Sequence, residues 1–342
     1  MFWFDNSRKS LVSYSRSLNP EEREHAEKIF TEIIGHEYGT KAPALRFNSS
    51  DAKVIDDYEI IYVDSQSTDD SISVAKQYPK VRVFLVTGDC NAGVGRNIGA
   101  KEAKGDVLCF LDGDMELQCG IIPELFNENG KLKYPFYSGL HLHRIYKNDI
   151  LQEQYYQTCP ANMNECFEIA TGGLMIIERQ WWMKLHGIDT RFKYNEDYDF
   201  GLRMTESGIK LCRQCKLWVI HNTYYHISQK SYVSSAKYTA LVFRKHWYNF
   251  DFLRTKIFPT QYTAFALLIS VFSTFLGVII QSSYWWLLLC IGYLLVLFRK
   301  AMKQKEVSII NMMRLVIKRD VVFLTSILFF WPKAIELKYE EK

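Results

Sequence analysis

Over the first 250 residues, short apolar runs alternate with stretches whose apolar positions recur at helical spacing. Glu59–Val63 reads as a buried strand, 70–77 as a helix, Val81–Val86 as a strand, Val94–Ala103 as a helix and Asp106–Leu111 as a strand. Farther on, Leu174–Ile177 reads as a strand, a helix follows through Trp181 and Trp182, and another opens at Asn195 and runs to about Thr205. Strand and helix in alternation predict an α/β domain with a mostly parallel sheet over residues 1–250. The polar, irregular stretch 39–57 is expected to be an insertion or a mobile loop.

The pattern changes near Phe258-Pro259, for no Lys, Arg, Asp, Glu or His occurs between Tyr262 and Phe298. A membrane-spanning helix needs about 20 apolar residues. This run is nearly twice that and is interrupted at Gln281-Ser282-Ser283, so it predicts a transmembrane hairpin over about 262–298. Arg244, Lys245, Arg254 and Lys256 precede it, and Arg299, Lys300, Lys303 and Lys305 follow. Positive flanks at both ends predict that the N-terminal domain faces the cytoplasm. A buried hairpin in a soluble protein is the plainer alternative. Val307–Ile317 has the pattern of an interfacial helix and Val321–Trp331 that of a re-entrant segment, with Lys318, Arg319 and Asp320 between them. Residues 251–342 are thus read as a membrane-associated helical region.

Composition narrows the class. With 48% hydrophobic and 15% aromatic residues the chain is no disordered segment, and a net charge of +4 gives no reason to expect nucleic acid as a partner. The eight cysteines are scattered and the N-terminus lacks signal-peptide features, so reduced thiols are expected. Cys212 and Cys215 have the spacing of half a zinc site, without a second pair at matching distance.

Ligands of open α/β sheets gather beyond the carboxyl ends of the strands. Asp64 ends one such strand and Asp112-Gly113-Asp114 follows another. Carboxylates flanking a glycine there can hold a hard divalent cation, which would bridge diphosphate oxygens; the plainer alternative is an acidic capping turn. The stretch Asn91–Ala100 opens a helix with small residues and offers Arg96 to an anion. Its spacing matches neither a Walker loop nor the dinucleotide fingerprint. Asn195-Glu196-Asp197-Tyr198-Asp199 begins a helix; its carboxylates either cap that helix or supply, in Asp197, a base for an attacking hydroxyl.

The ordered segments YEIIYVDSQSTDDS, NAGVGRNIGAKEAKGDVLCFLDGDMEL and TGGLMIIERQWWMKLHGIDTRFKYNEDYDFGLRM span about Tyr58 to Met204. In this order they resemble the inverting family 2 glycosyltransferases of GT-A fold, of the bacterial cell-surface polysaccharide type. The resemblance implies a Rossmann-like nucleotide-diphospho-sugar transferase fold in which Asp64 contacts the nucleoside. It further implies that Asp112 and Asp114 serve the diphosphate and Mg²⁺ or Mn²⁺, that Asp197 is the base with Glu196 in support, and that Gly172 and Gly173 line the sugar or acceptor pocket. His221 falls where some members place a further metal or phosphate ligand, a structural histidine being the alternative. The family's opening strand is sought at 10–15, followed by a helix over 20–34. The Gln-x-x-Arg-Trp motif of processive synthases is absent, which implies single-sugar transfer. The implied partners are a UDP-, GDP- or dTDP-sugar, a glycan or lipid-linked acceptor, and the membrane. A polyprenyl-phosphate sugar synthase and an inactive membrane scaffold of the same fold are the competing readings.

Overall fold

A computed structural model describes residues 2–3, 45–47, 53–55, 59–68, 71–78, 81–113, 115–117, 125–127, 131–147, 150–159, 163–224, 229–280, 284–302 and 308–342. The expected opening strand and helix at 10–34 and Asp114 lie outside these residues. The chain divides into two compact units, residues 1–225 with 334–342, and 226–333.

In the first unit the strands are β1 (Phe2–Trp3), β2 (Leu45–Phe47), β3 (Lys53–Ile55), β4 (Ile60–Asp64), β5 (Val81–Val86), β6 (Val107–Phe110) and β7 (Met115–Leu117). There follow β8 (Phe136–Lys147), β9 (Ile150–Tyr156), β10 (Glu165–Glu168), β11 (Met175–Glu178), β12 (Leu211–Tyr224) and β13 (Tyr339–Glu341). One sheet has the order β1-β4-β5-β13, and the other β10-β12-β8-β11-β6, with β7 on β12 and β9 on β8. The strand beside β4 is therefore Phe2–Trp3, which pairs parallel with Tyr62 and Val63. Within 39–57, β2 and β3 form an antiparallel pair.

The α/β class is as expected, but the sheets are mixed rather than mostly parallel. Parallel neighbours need long crossovers, usually helical. Helices Ser71–Ala75 and Ala92–Glu102 supply these around β4, β5 and β6, whereas no helix is described between β6 and β11. There the chain turns back on itself, so β11 runs antiparallel to both β6 and β8, and β9 antiparallel to β8.

A buried cluster joins the parallel strands to their helices through Ile61, Val63, Phe84, Val94, Ile98, Phe110, Trp182 and Phe200. A second, with Leu111, Met115, Tyr137, Leu174 and Trp218, lies under the longer strands. At its centre a Cβ on Gly139 would strike the Trp218 side chain. Residues 334–342, assigned by the sequence pattern to the membrane region, instead belong to the first unit. β13 pairs with β5, the Tyr339 hydroxyl donates to Glu102 Oε1 (2.6 Å), and the Ile335 amide donates to Thr190 Oγ1 (2.9 Å).

The second unit is helical: Gln229–Lys245, Phe258–Ile279, Trp285–Met302 and Ile309–Phe329. The helical run 250–279, 30 residues with a π-helical turn at Leu253–Ile257, is long and apolar enough to cross a membrane, alone in this among the described residues. Residues 309–329 form one continuous helix, not an interfacial segment followed by a re-entrant one. Charge at Arg319-Asp320 does not break it because the two charges pair with each other, though Asp320 Oδ2 stays without a hydrogen-bond partner. Arg319 Nη2 donates to Asp320 Oδ1 (2.8 Å) and Nη1 to the Tyr232 hydroxyl (3.0 Å), with Thr260 and Thr263 accepting further bonds. Ala236, Ala240, Ala264 and Phe323 pack as a small-residue core, while Phe272, Phe275, Val278, Leu288 and Leu295 are exposed.

Cys159 and Cys215 are joined as a disulfide, contrary to the expectation of thiols throughout. Gly139→Ala is expected to destabilise the first unit by about 1–3 kcal/mol, the usual cost of overpacking. A lowered thermal midpoint in the purified chain checks this.

Candidate active site

The site is assembled by one buried cation. Arg96 lies on the helix Ala92–Glu102, whose first turn is capped by Asn91: Oδ1 accepts from the Val94 amide (2.9 Å), and Nδ2 donates to the Thr190 (2.8 Å) and Phe192 (3.1 Å) carbonyls. One turn on, Asn97 exchanges two bonds with the Ile188 backbone. These amides fix the helix against the loop that leads to Asn195. Arg96 is 3% exposed. Its Nη2 donates to Asp112 Oδ1 (2.7 Å) and its Nη1 to Glu196 Oε1 (2.9 Å). Burial alone would lower the guanidinium pKa, but the two carboxylates outweigh it and the net shift is upward.

Three segments distant in sequence thus meet. Asp112 follows β6, and its carbonyl accepts from the Met115 amide (3.0 Å). Glu196 and Asp197 open the helix Glu196–Glu206, preceded by Asn195 in the left-handed region (φ 62°). A non-glycine residue there is strained and signals a position set by its surroundings. The Asp197 carbonyl accepts from both the amide (3.3 Å) and the hydroxyl (3.4 Å) of Thr171. That ties Thr171-Gly172-Gly173 to the same place. Gly172 has φ +73°, and a Cβ on Gly173 would strike Asp112 Oδ2, so the second glycine is what lets this loop lie against the carboxylate.

The Asp197 carboxyl is raised to about 7, first by desolvation and then by Glu196, with Arg96 opposing. Asp199 differs: it is fully buried and bonded to Arg203 Nε (2.9 Å), whose other nitrogens hold the Leu185 and Gly187 carbonyls. It holds the helix to the preceding loop. Asp64, buried at the end of β4, accepts from the Tyr62 hydroxyl (2.9 Å) and the Ser67 amide (2.8 Å), which orients it.

His221 lies on β12 in register with Met115, the residue after Asp114. Sequence reading missed its company. His143 faces it across the β8–β12 pairing with Nδ1 to Nδ1 3.2 Å, and His141 completes a cluster whose ring nitrogens lie within 4.8 Å of one another. The alternation His141-Leu142-His143 was the available signal, since period two puts both imidazoles on one face of a strand.

Residues 48–155 match the model for Glycosyl transferase family 2. Over that segment the chain is similar to Glycosyl transferase family 2. It is homologous to glycosyltransferases: an uncharacterized glycosyltransferase of Haemophilus influenzae is 28% identical over 193 residues, covering 51% of this chain and 61% of that protein. A poly(ribitol-phosphate) beta-glucosyltransferase of Bacillus spizizenii is 41% identical over 64 residues, 17% of this chain and 10% of that one. The chain therefore spans less than two thirds of the length of either relative. Among solved structures, GalNAc-T7 with UDP, GalNAc and Mn²⁺ aligns at TM-score 0.40 with 20% identity, covering 50% of this chain and 38% of that one.

A carboxyl whose folded pKa lies near 7, against about 3.9 unfolded, binds more protons folded than unfolded between those values. Its contribution is therefore least unfavourable at low pH and becomes destabilising as pH rises toward 7. In metal-free protein, Asp197→Asn is expected to raise stability at pH 8 by about 1–2 kcal/mol, a figure discounted for partial solvent access, and to change it little at pH 4. Paired thermal melts at the two pH values check this.

Proposed function

We propose that the protein is a membrane-anchored glycosyltransferase that moves a single sugar from a nucleotide-sugar donor to a glycan acceptor with inversion. The observation that carries the reading is the Arg96 bridge between Asp112 and Glu196, which brings the strand-end carboxylate beside a carboxyl, Asp197, raised to about 7. A base must be near its working pH to take a proton efficiently.

Asp197 would accept the proton of the acceptor hydroxyl as that oxygen attacks the anomeric carbon from the face opposite the leaving nucleoside diphosphate. The bond to the diphosphate breaks as the new glycosidic bond forms, so the configuration inverts. Arg96 and Glu196 hold the base and Asp112 at fixed separation, and Asp64, oriented by Tyr62, is suited to the nucleoside. Gly172 and Gly173 would line the sugar or acceptor side.

The donor set fits a divalent cation. Asp112 Oδ1 is taken by Arg96 while Oδ2 faces the space kept by Gly173, and His221 stands in register with Met115. Asp112, Asp114 and His221 would hold Mg²⁺ or Mn²⁺, whose charge would offset that of the departing diphosphate. Support for the anchor comes from the apolar helical run 250–279, from exposed Phe272, Phe275 and Val278, and from basic residues at both ends of the 262–298 stretch. An enzyme so anchored, with its catalytic unit on the cytoplasmic side, would meet a lipid-linked acceptor, and UDP-, GDP- and dTDP-sugars are the donor classes.

Incubation of purified protein with a panel of these donors, Mn²⁺ and lipid-linked acceptor, reading released nucleoside diphosphate, tests the proposal. Asp197→Asn should lower kcat/KM about 10²–10⁴-fold, the range of general base catalysis, and the wild-type rate should rise with pH through neutrality. An Asn variant that keeps near-full rate points to a phosphate nucleophile, as in a polyprenyl-phosphate sugar synthase. No release and no donor binding points to a scaffold.

A further inference from the structure

Away from this site, three cysteines from three segments converge. Cys159 follows β9, Cys166 lies on β10 and Cys215 on β12, and their sulfurs lie within 4.8 Å of one another. We propose that Cys159, Cys166 and Cys215 form a zinc-binding thiolate site in the reduced protein, and that the Cys159–Cys215 disulfide is the metal-free alternative of the same sulfurs.

A disulfide uses two sulfurs and gives no reason for a third. Cys166 Sγ nevertheless sits 3.8 Å from Cys159 Sγ. Zn–S bonds of about 2.3 Å in tetrahedral geometry put neighbouring sulfurs about 3.8 Å apart. The backbone already holds the segments at this spacing: the Cys215 amide donates to the Asn164 carbonyl (2.8 Å), and Cys166 is in register with Arg213 on β12. Arg213, bonded to Glu168 (3.2 Å), keeps a buried Nε without a hydrogen-bond partner and brings positive charge next to the excess negative charge of three thiolates on one Zn²⁺. Water would fill the fourth position.

Cys212, three residues before Cys215, is not part of the set. It points into the core against Tyr137 and Trp218, and its thiol is pushed up to about 12 by burial and then by Glu165. The Cys-x-x-Cys spacing thus misleads. On a strand, positions three apart face opposite sides, and the partners of Cys215 come instead from residues 159 and 166.

The chemistry balances. A dithiol reductant delivers two electrons and two protons to the Cys159 and Cys215 sulfurs and is itself oxidised to a disulfide; Zn²⁺ then displaces up to three thiol protons. Bound metal would fasten the segment before β10, and the edge strand itself, to β12. Three residues after β10 ends, Thr171-Gly172-Gly173 begins, so this clip lies directly upstream of the loop against Asp112.

The test uses the full chain, purified in detergent with a dithiol reductant and no chelator. Zinc is measured by plasma emission, and Co²⁺ is substituted to read thiolate-to-metal charge transfer. About one zinc per chain is expected, released by an organomercurial and protecting Cys159, Cys166 and Cys215 from alkylation. Cys166→Ser and Cys215→Ser should each lose it at least about tenfold, as removing a direct ligand must, while Cys290→Ser keeps it. The proposal is overturned by a reduced wild-type chain that retains no zinc and shows no cobalt charge-transfer band, or by a Cys166→Ser protein that binds zinc as before. The wild-type metal and alkylation readings stand even where a variant fails to fold, and none of them depends on glycosyl transfer.

Discussion

Everything at the candidate site hangs on a guanidinium almost removed from water. An isolated cation in that position would cost several kcal/mol of lost hydration, and removing one partner of a buried pair typically costs about 3–5 kcal/mol. Arg96 is tolerable only because Asp112 and Glu196 both reach it at charge-assisted hydrogen-bond distance. The dependence runs the other way as well. Neither a turn after a strand nor a helix start 84 residues later, at Glu196, has any local reason to place its carboxylate where it does. The small residues around Arg96 follow from the same constraint, for a Cβ on Gly93 would strike Ile188 and the helix could not come close enough.

The elements around this bridge were legible because each is local. Strands β4, β5, β6 and β11 and the helices Ala92–Glu102 and Glu196–Glu206 lie within a few residues of their predicted ranges, since apolar period and capping chemistry decide them within a short window. What was not legible is non-local. The antiparallel returns of β8, β9 and β11 are pairings that no local apolar period specifies. The placement of β13 against β5 joins residues some 255 apart, and a nine-residue polar tail carries no signal of its partner. Arg96 itself was legible as an anion ligand by charge, yet the anions it holds in the structure are the protein's own.

The helical unit repeats the lesson with opposite charges in an apolar setting. Lys318, Arg319 and Asp320 look like a break in an apolar run when read along the chain, because charge in such a run is expensive. In three dimensions Arg319 bonds Tyr232, Thr260 and Thr263 and pairs with Asp320, so the helix continues through the charged positions. Hydropathy counts residues one by one and has no term for a pair that neutralises itself.

Charge balance also explains why Asp197 is the group that shifts. Asp112, Glu196 and Asp197 place three carboxylates around one guanidinium, with Asp114 adjacent in sequence. Two of the three bond Arg96 directly. Asp197 does not, so it feels the desolvation and the repulsion of Glu196 with only partial relief from the cation, and it is the least costly of the three to protonate. An anionic cluster of this kind can be relieved by a proton or by a bound cation. The same excess of negative charge raises the Asp197 carboxyl to about 7, the range the proposed role as a hydroxyl's base requires.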